Sequence, residues 1–190
     1  LAPRYFSESI RDNKGKLLQI STDYVFDGKK TKAFKPYDKR NPKNIYGHSK
    51  AMGEDNINEI LGGKNKAIIL RSSWVMGPNS KNFLSKILNL LLTKREVKVV
   101  SDQFSCPTST KTLSQICWMI INKEKIIFDL HSKRVPIMHC SDGGLASWYE
   151  VAKTIAEIGM DLGLITDEVN VYPIKTCDYI TSAKRPSFSL

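Results

Sequence analysis

Residues 16–28, KLLQISTDYVFDG, and residues 44–50, NIYGHSK, decide how this chain is read. Leu17, Leu18 and Ile20 make a short apolar run suited to a buried strand. The run ends in the hydroxyls of Ser21 and Thr22, and polar groups at the end of such a strand lie where α/β sheets bind ligands. Residues 45–61 predict a helix that Gly62-Gly63 ends, because glycine holds a helix only at a cost. Tyr46 and Lys50, four apart, share a face of that helix. A phenol ordinarily titrates near pH ~10, and a neighbouring ammonium favours its ionised form. The pair can therefore give a proton to a carbonyl oxygen while hydride reaches the carbon. Thr22 can hydrogen-bond the same carbonyl. Two plainer readings stay open. Tyr46 and Lys50 can be an exposed helix face, and Thr22-Asp23 can simply start a turn closed by Asp27-Gly28.

Outward from this stretch, strand and helix signals alternate. Residues 67–71 (AIILR), 97–100, 136–140 (PIMHC) and 169–174 read as strands. Phe83, Leu84, Ile87, Leu88 and Leu91 repeat with the spacing of one helix face, and Leu113, Ile116, Cys117, Ile120 and Ile121 make another. Ser147, with Glu150 three residues later, is a capping-box start for a helix whose apolar side is Trp148, Val151, Ala152 and Ile155. This order predicts an α/β fold with a largely parallel sheet. The connection 23–44 is long for a compact domain, stiffened by Pro36 and Pro42, and long connections are often functional.

The 190 residues carry a net charge of +10, much of it on Lys29, Lys30, Lys32, Lys35, Lys39, Arg40 and Lys43. The plain reading of that stretch is a solvated basic loop, followed by attraction of a phosphate-bearing substrate. A nucleic-acid partner is not expected, because aromatic stacking positions are not interleaved with the cations. No apolar run approaches the roughly 18–20 residues that span a bilayer, so no membrane segment is expected. Cys106, Cys117, Cys140 and Cys177 are widely spaced, and His48, His131 and His139 add no ligand cluster. They read as free thiols of a cytoplasmic protein, without a zinc site.

STDYVFDG followed by NIYGHSK resembles the extended short-chain dehydrogenases/reductases. The resemblance runs on through LRSSWVMGPNSKNF, KVVSDQFSCPTST, HCSDGGLASWYEVAKTI and the terminal AKRPSFSL. Together VSDQF-x-x-PT, SWYE and the late RPS are similar to the dTDP-4-dehydrorhamnose reductases within that family.

The resemblance implies the C-terminal part of a Rossmann-like parallel sheet with the catalytic pair over 1–75. Over 76–190 it implies mostly a small α/β substrate-binding domain, with one or more segments returning to the sheet. It implies that NADPH or NADH reduces the 4-keto group of a dTDP-4-dehydro-6-deoxyhexose, the dTDP-sugar being the partner. Tyr46 would be the proton donor, Lys50 would tune it and hold the nicotinamide ribose, and Thr22 would orient the carbonyl with Asp23 beside it. Trp74, Asn82, Gln103 and Arg185 would meet the substrate, Arg185 at its diphosphate. Plainer roles also fit these four: core aromatic for Trp74, loop or cap for Asn82 and Gln103, exposed charge for Arg185. His48 has no required part.

The same Tyr and Lys serve sugar-nucleotide epimerases and dehydratases. The regulatory beta subunit of methionine adenosyltransferase has a similar STDYVFDG-like segment, although SWYE and VSDQF argue against it. A homodimer is among the assemblies the resemblance admits. Relatives carry acidic residues before the Tyr, where this chain is basic, so no metal is expected. No G-x-x-G-x-x-G or G-x-G-x-x-G turn occurs in the sequence. The expectation is a piece of a longer protein, lacking the N-terminal nucleotide-binding half and inactive alone.

Overall fold

The computed structural model describes residues 2–78, 81–123, 133–188 and 190. Strand β1 (Leu17–Thr22) runs to a short 3-10 turn, Asp23–Val25, and helix α2 (Ile45–Leu61) returns the chain to β2 (Ala67–Ser72). Helix α1 (Ala2–Asp12) precedes β1 and packs against α2. After β2 come β3 (Val75–Met76), α3 (Phe83–Thr93), β4 (Glu96–Val100), β5 (Phe104–Ser105) and β6 (Thr108–Ser109). Then follow α4 (Thr110–Asn122), β7 (Ile137–Cys140), β8 (Ala146–Ser147), α5 (Trp148–Asp161) and β9 (Asn170–Ile174).

The main sheet has the order β1-β2-β7, all parallel. The register sets Thr22 opposite Ser72 and Ser72 opposite Cys140, so the three carboxyl ends are level. All six residues of β2 are buried, as befits the central strand of a covered parallel sheet. Ile57, Ile60 and Leu61 of α2 cover one side with Ile69 and Val135. Ile120 of α4 packs with Ile68, Leu70 and Cys140 in a second cluster.

A smaller unit is built on β4 and β9, which pair in parallel. Ile87 and Leu91 of α3, Val97 and Val99 of β4, and Ala152 and Ala156 of α5 form its aliphatic core. Its helix α5 starts as the capping box in the sequence requires. The Ser147 hydroxyl accepts from the Glu150 N–H at 3.1 Å, and the Glu150 carboxylate accepts from the Ser147 N–H at 2.7 Å. Two short ladders, β3 with β6 and β5 with β8, lie in the chain between the two units.

The basic stretch departs from a solvated loop. Its lysines are exposed, but Phe34 is buried and stacks on Phe26 with centroids 4.3 Å apart. Arg40 donates to the Ala51 carbonyl at 2.9 Å and to Glu54 at 3.1 Å. The reason is Glu54, a carboxylate 3% exposed on α2 that also receives Ser21 at 2.5 Å and Arg71 Nη2 at 2.6 Å. Arg71 lies in the buried central strand, so the charge of each is tolerable only beside the other. Arg71 spends a further N–H on the Pro36 carbonyl at 2.8 Å, which ties the stretch to the sheet.

Candidate active site

The carboxyl end of β1 turns sharply at Thr22. The Thr22 hydroxyl accepts from the Tyr24 N–H at 3.2 Å and donates to Asp23 Oδ1 at 2.9 Å. Both Thr22 and Asp23 are buried. Asn44 caps α2 by accepting the Gly47 N–H at 2.8 Å, which places Tyr46 in the first helical turn. Gly47 explains why that turn lies so close to the strand end. A Cβ there would stand 2.2 Å from the Tyr24 carbonyl oxygen, so any larger residue would push α2 away.

Tyr46 is 52% exposed, and the Tyr24 ring meets it edge-on with centroids 5.8 Å apart. Lys50, one turn later, has Nζ 6.0 Å from the Tyr46 ring centre and donates to the Ile20 carbonyl at 3.3 Å. The ammonium is thus pinned to β1 behind the phenol. Tyr24 titrates above an ordinary tyrosine, chiefly because it is buried, helped by the Asp23 charge and opposed by Arg185. Tyr24 therefore stays protonated beside Tyr46 near neutrality.

Tyr24 and Tyr46 open onto a cleft of about 660 Å³ between the two units. Phe83, Ile87 and Leu90 of α3 with Val97 and Val99 of β4 give it an apolar wall. Lys86, Lys94, Lys98 and Arg185 line it against one carboxylate, Glu96, so the cleft favours an anionic guest. Trp148 closes one side, stacked on Trp74 with centroids 3.5 Å apart and tilted against Phe83 at 4.3 Å. Trp74 holds a left-handed backbone, φ +41°, a conformation that costs energy and clusters at functional sites.

The residues singled out in the sequence fall into three groups. Thr22, Asp23, Tyr46 and Lys50 gather at the end of β1, and Arg185 lines the same cleft as Tyr46. Trp74 and Gln103 reach the cleft through Trp148. The buried Gln103 accepts the Trp148 indole N–H at 3.2 Å and donates to Thr176 Oγ1 at 3.0 Å. Asn82 stands at the head of α3, where its carbonyl caps Ser85 N–H at 3.2 Å and its amide donates to the Gly77 carbonyl at 2.5 Å. His48 is exposed. Sequence reasoning passed over Asn44, Tyr24 and Tyr179, which line the cleft. An Asn directly before a helix start was the one available signal for Asn44. Among the described residues no three His, Cys, Asp or Glu side chains are placed to hold a metal ion. Nor is any described helix long and apolar enough to cross a membrane.

Fold and site together define a Rossmann-like α/β protein with a tyrosine–lysine pair at the carboxyl edge of its parallel sheet. The chain belongs to the RmlD substrate binding domain family, whose model matches residues 1–190. It is 39% identical over 173 residues to the spore coat polysaccharide biosynthesis protein SpsK of Bacillus subtilis, covering 91% of this chain and 54% of that protein. It is 34% identical to the dTDP-4-dehydrorhamnose reductase of Aggregatibacter actinomycetemcomitans, covering 98% of this chain and 61% of that protein. The crystal structure of a dTDP-4-dehydrorhamnose reductase from Clostridium acetobutylicum superposes with a TM-score of 0.84 at 32% identity, over 98% of this chain and 60% of that one. That of the Bacillus anthracis reductase in complex with NADP gives 0.83 at 31%, with the same coverage. The chain thus spans little more than half the length of these relatives.

Proposed function

We propose that this chain supplies the proton donor and the sugar-nucleotide cleft of an NAD(P)H-dependent reductase. The reaction is reduction of the 4-keto group of dTDP-4-dehydro-6-deoxy-L-mannose to dTDP-L-rhamnose. The observation that carries it is Tyr46 and Arg185 facing one apolar, cation-lined cleft, with Lys50 behind the phenol. Tyr46 gives its proton to the sugar carbonyl oxygen, Lys50 favours the phenolate left behind, and the Thr22 hydroxyl orients the carbonyl. Asp23 fixes the Thr22 hydroxyl. The indole wall of Trp148 and Trp74 packs on the sugar, Gln103 holds that wall, and Asn82 sets the head of α3. Arg185 pairs with the diphosphate.

The hydride would come from a dinucleotide, when one is bound. Tyr46 and Lys50 are the residues here that would meet its ribose, since both stand at the end of β1. In this reading residues 1–75 carry the chemistry. Residues 76–190 carry most of the substrate cleft, with β7 returning to the main sheet. The free state of Cys106, Cys117, Cys140 and Cys177 fits a reducing cytoplasm. Exposed Tyr5, Phe6 and Met52 on α1 and α2 fit self-association as a homodimer.

The test is twofold. Calorimetry with dTDP should give saturable binding to the chain. In the complete gene product, NAD(P)H oxidation with dTDP-4-dehydrorhamnose should fall roughly 10²- to 10⁴-fold on Tyr46→Phe. Turnover unchanged in that variant would remove Tyr46 from the chemistry. A folded chain indifferent to dTDP would remove the cleft as the sugar-nucleotide site.

A further inference from the structure

Asn44 uses both ends of its side-chain amide. Oδ1 accepts the Gly47 N–H at 2.8 Å and so starts the helix of Tyr46. Nδ2 donates to the Lys184 carbonyl at 2.8 Å, from a residue 140 positions away. The next residue, Arg185, lines the same cleft as Tyr46 and acts electrostatically on Tyr24. The strap around it is seated elsewhere as well. Ser187 Oγ donates to the Gly28 carbonyl at 3.0 Å, and Phe104 N–H to the Ser187 carbonyl at 2.8 Å. Gly28 sits at φ +74°, and a Cβ there would meet Pro186 Cβ at 2.6 Å, so the strap crosses bare backbone.

We propose that Asn44 is a positioning residue that fixes the separation of the Arg185 cation from the Tyr46 phenol. It does so because one amide caps the proton donor's helix and holds the cation's strap. The inference rests on the sugar-nucleotide reading above. A diphosphate at one end of a substrate and a carbonyl at the other lie a set distance apart. The groups that meet them have to keep a matching distance, because small misplacements weaken productive binding steeply. Asn can do both tasks. Ser and Asp also cap helices well, but a Ser hydroxyl is too short to reach the strap and an Asp carboxylate has no N–H to give.

These differences separate the two roles. Asn44→Ser keeps a helix cap and loses the strap, whereas Asn44→Ala loses both. The Ser variant should melt close to the parent and the Ala variant lower. By calorimetry, affinity for dTDP-L-rhamnose, which carries both the diphosphate and the sugar C4 oxygen, should fall roughly 3- to 10-fold in both variants, so the restored cap does not rescue binding. In an Arg185→Ala background the Ser substitution should have no further effect, because the two residues act as one unit. Trypsin should cut the Lys184–Arg185 bond faster in the Ser variant, by mass spectrometry without ligand. Parental affinity in Asn44→Ser, or the same loss with and without Arg185, overturns the proposal. If the parent chain does not bind dTDP, the sugar-nucleotide reading fails. The trypsin rate then decides whether Asn44 holds the strap: a rate equal to the parent's overturns that role, and a several-fold faster one upholds it.

Discussion

The two units of this molecule are held by different forces. The β1-β2-β7 sheet buries a charged network, in which Glu54 and Arg71 are 3% and 1% exposed and Arg40 and Ser21 complete the partners. The β4–β9 unit buries aliphatic side chains, with Ile87 at 4%, Leu91 at 3% and Ala152 at 0% exposed. Aliphatic packing is tolerant of which atoms touch, whereas a buried ion pair demands one arrangement. The demanding network adjoins Thr22 through Ser21 and shares α2 with Tyr46 through Glu54. The tolerant core supports the wall of the cleft.

The sharpest way to break this contrast is at the network. Arg71→Met leaves Glu54 buried with a weaker complement, and should cost about 3–5 kcal/mol in chemical denaturation. Replacing both partners, Glu54→Leu with Arg71→Met, should recover much of that loss, since no uncompensated charge remains. A double variant as unstable as the single would mean that Arg71 acts through packing against Phe26, 5.0 Å from its guanidinium, and not through charge.

In the other unit Leu91→Ala should cost about 2–4 kcal/mol, the transfer and cavity terms of a buried leucine. Its cost should be the same at pH 5 and pH 7, because among the described residues its cluster holds no titratable group apart from the partly buried Tyr149. A cost that changes with pH would join the two units into one network.

The smallest effect separates the units by acidity. His139 is pushed down from 6.5 to about 4, first by burial and then by Arg71, whose Nη1 lies 3.4 Å from its ring nitrogen. Glu54 also stays below its ordinary range. Burial works to raise it, but the bonds and charges of Arg71, Ser21 and Arg40 outweigh that. The signs agree. Between pH 6.5 and about 4 the unfolded chain binds a proton on His139 that the folded chain does not. Stability is therefore full above pH 6.5 and falls as pH drops through this window. With solvent screening allowed for, the fall is roughly 2 kcal/mol. Glu54 adds to it at the acid end. Melting curves of His139→Gln should be flatter across the same window, and an unchanged slope would assign the acid sensitivity elsewhere.

Much was legible in the chain because it is local. Alternation of short apolar runs and helical faces gave the strands and helices named beforehand, and Ser147 with Glu150 gave a helix start to the residue. Helix α1 and the ladders β3–β6 and β5–β8 carried no such signal, since an amphipathic surface helix with polar turns and two-residue strands have too little periodicity. Tyr46 and Lys50 declared themselves by being four apart on one helix.

By itself, then, the sequence determined the order of elements and the tyrosine–lysine face, because both depend on neighbours a few residues apart. Only the tertiary structure decided the rest. It brought Arg185 to the same cleft as Tyr46, turned Gln103 to the Trp148 indole, paired Glu54 with Arg71, and gave Asn44 a second partner at Lys184. Each of those contacts joins segments far apart in the chain. Its partner is chosen by burial and hydrogen-bond demand, quantities that exist only once the chain has closed on itself.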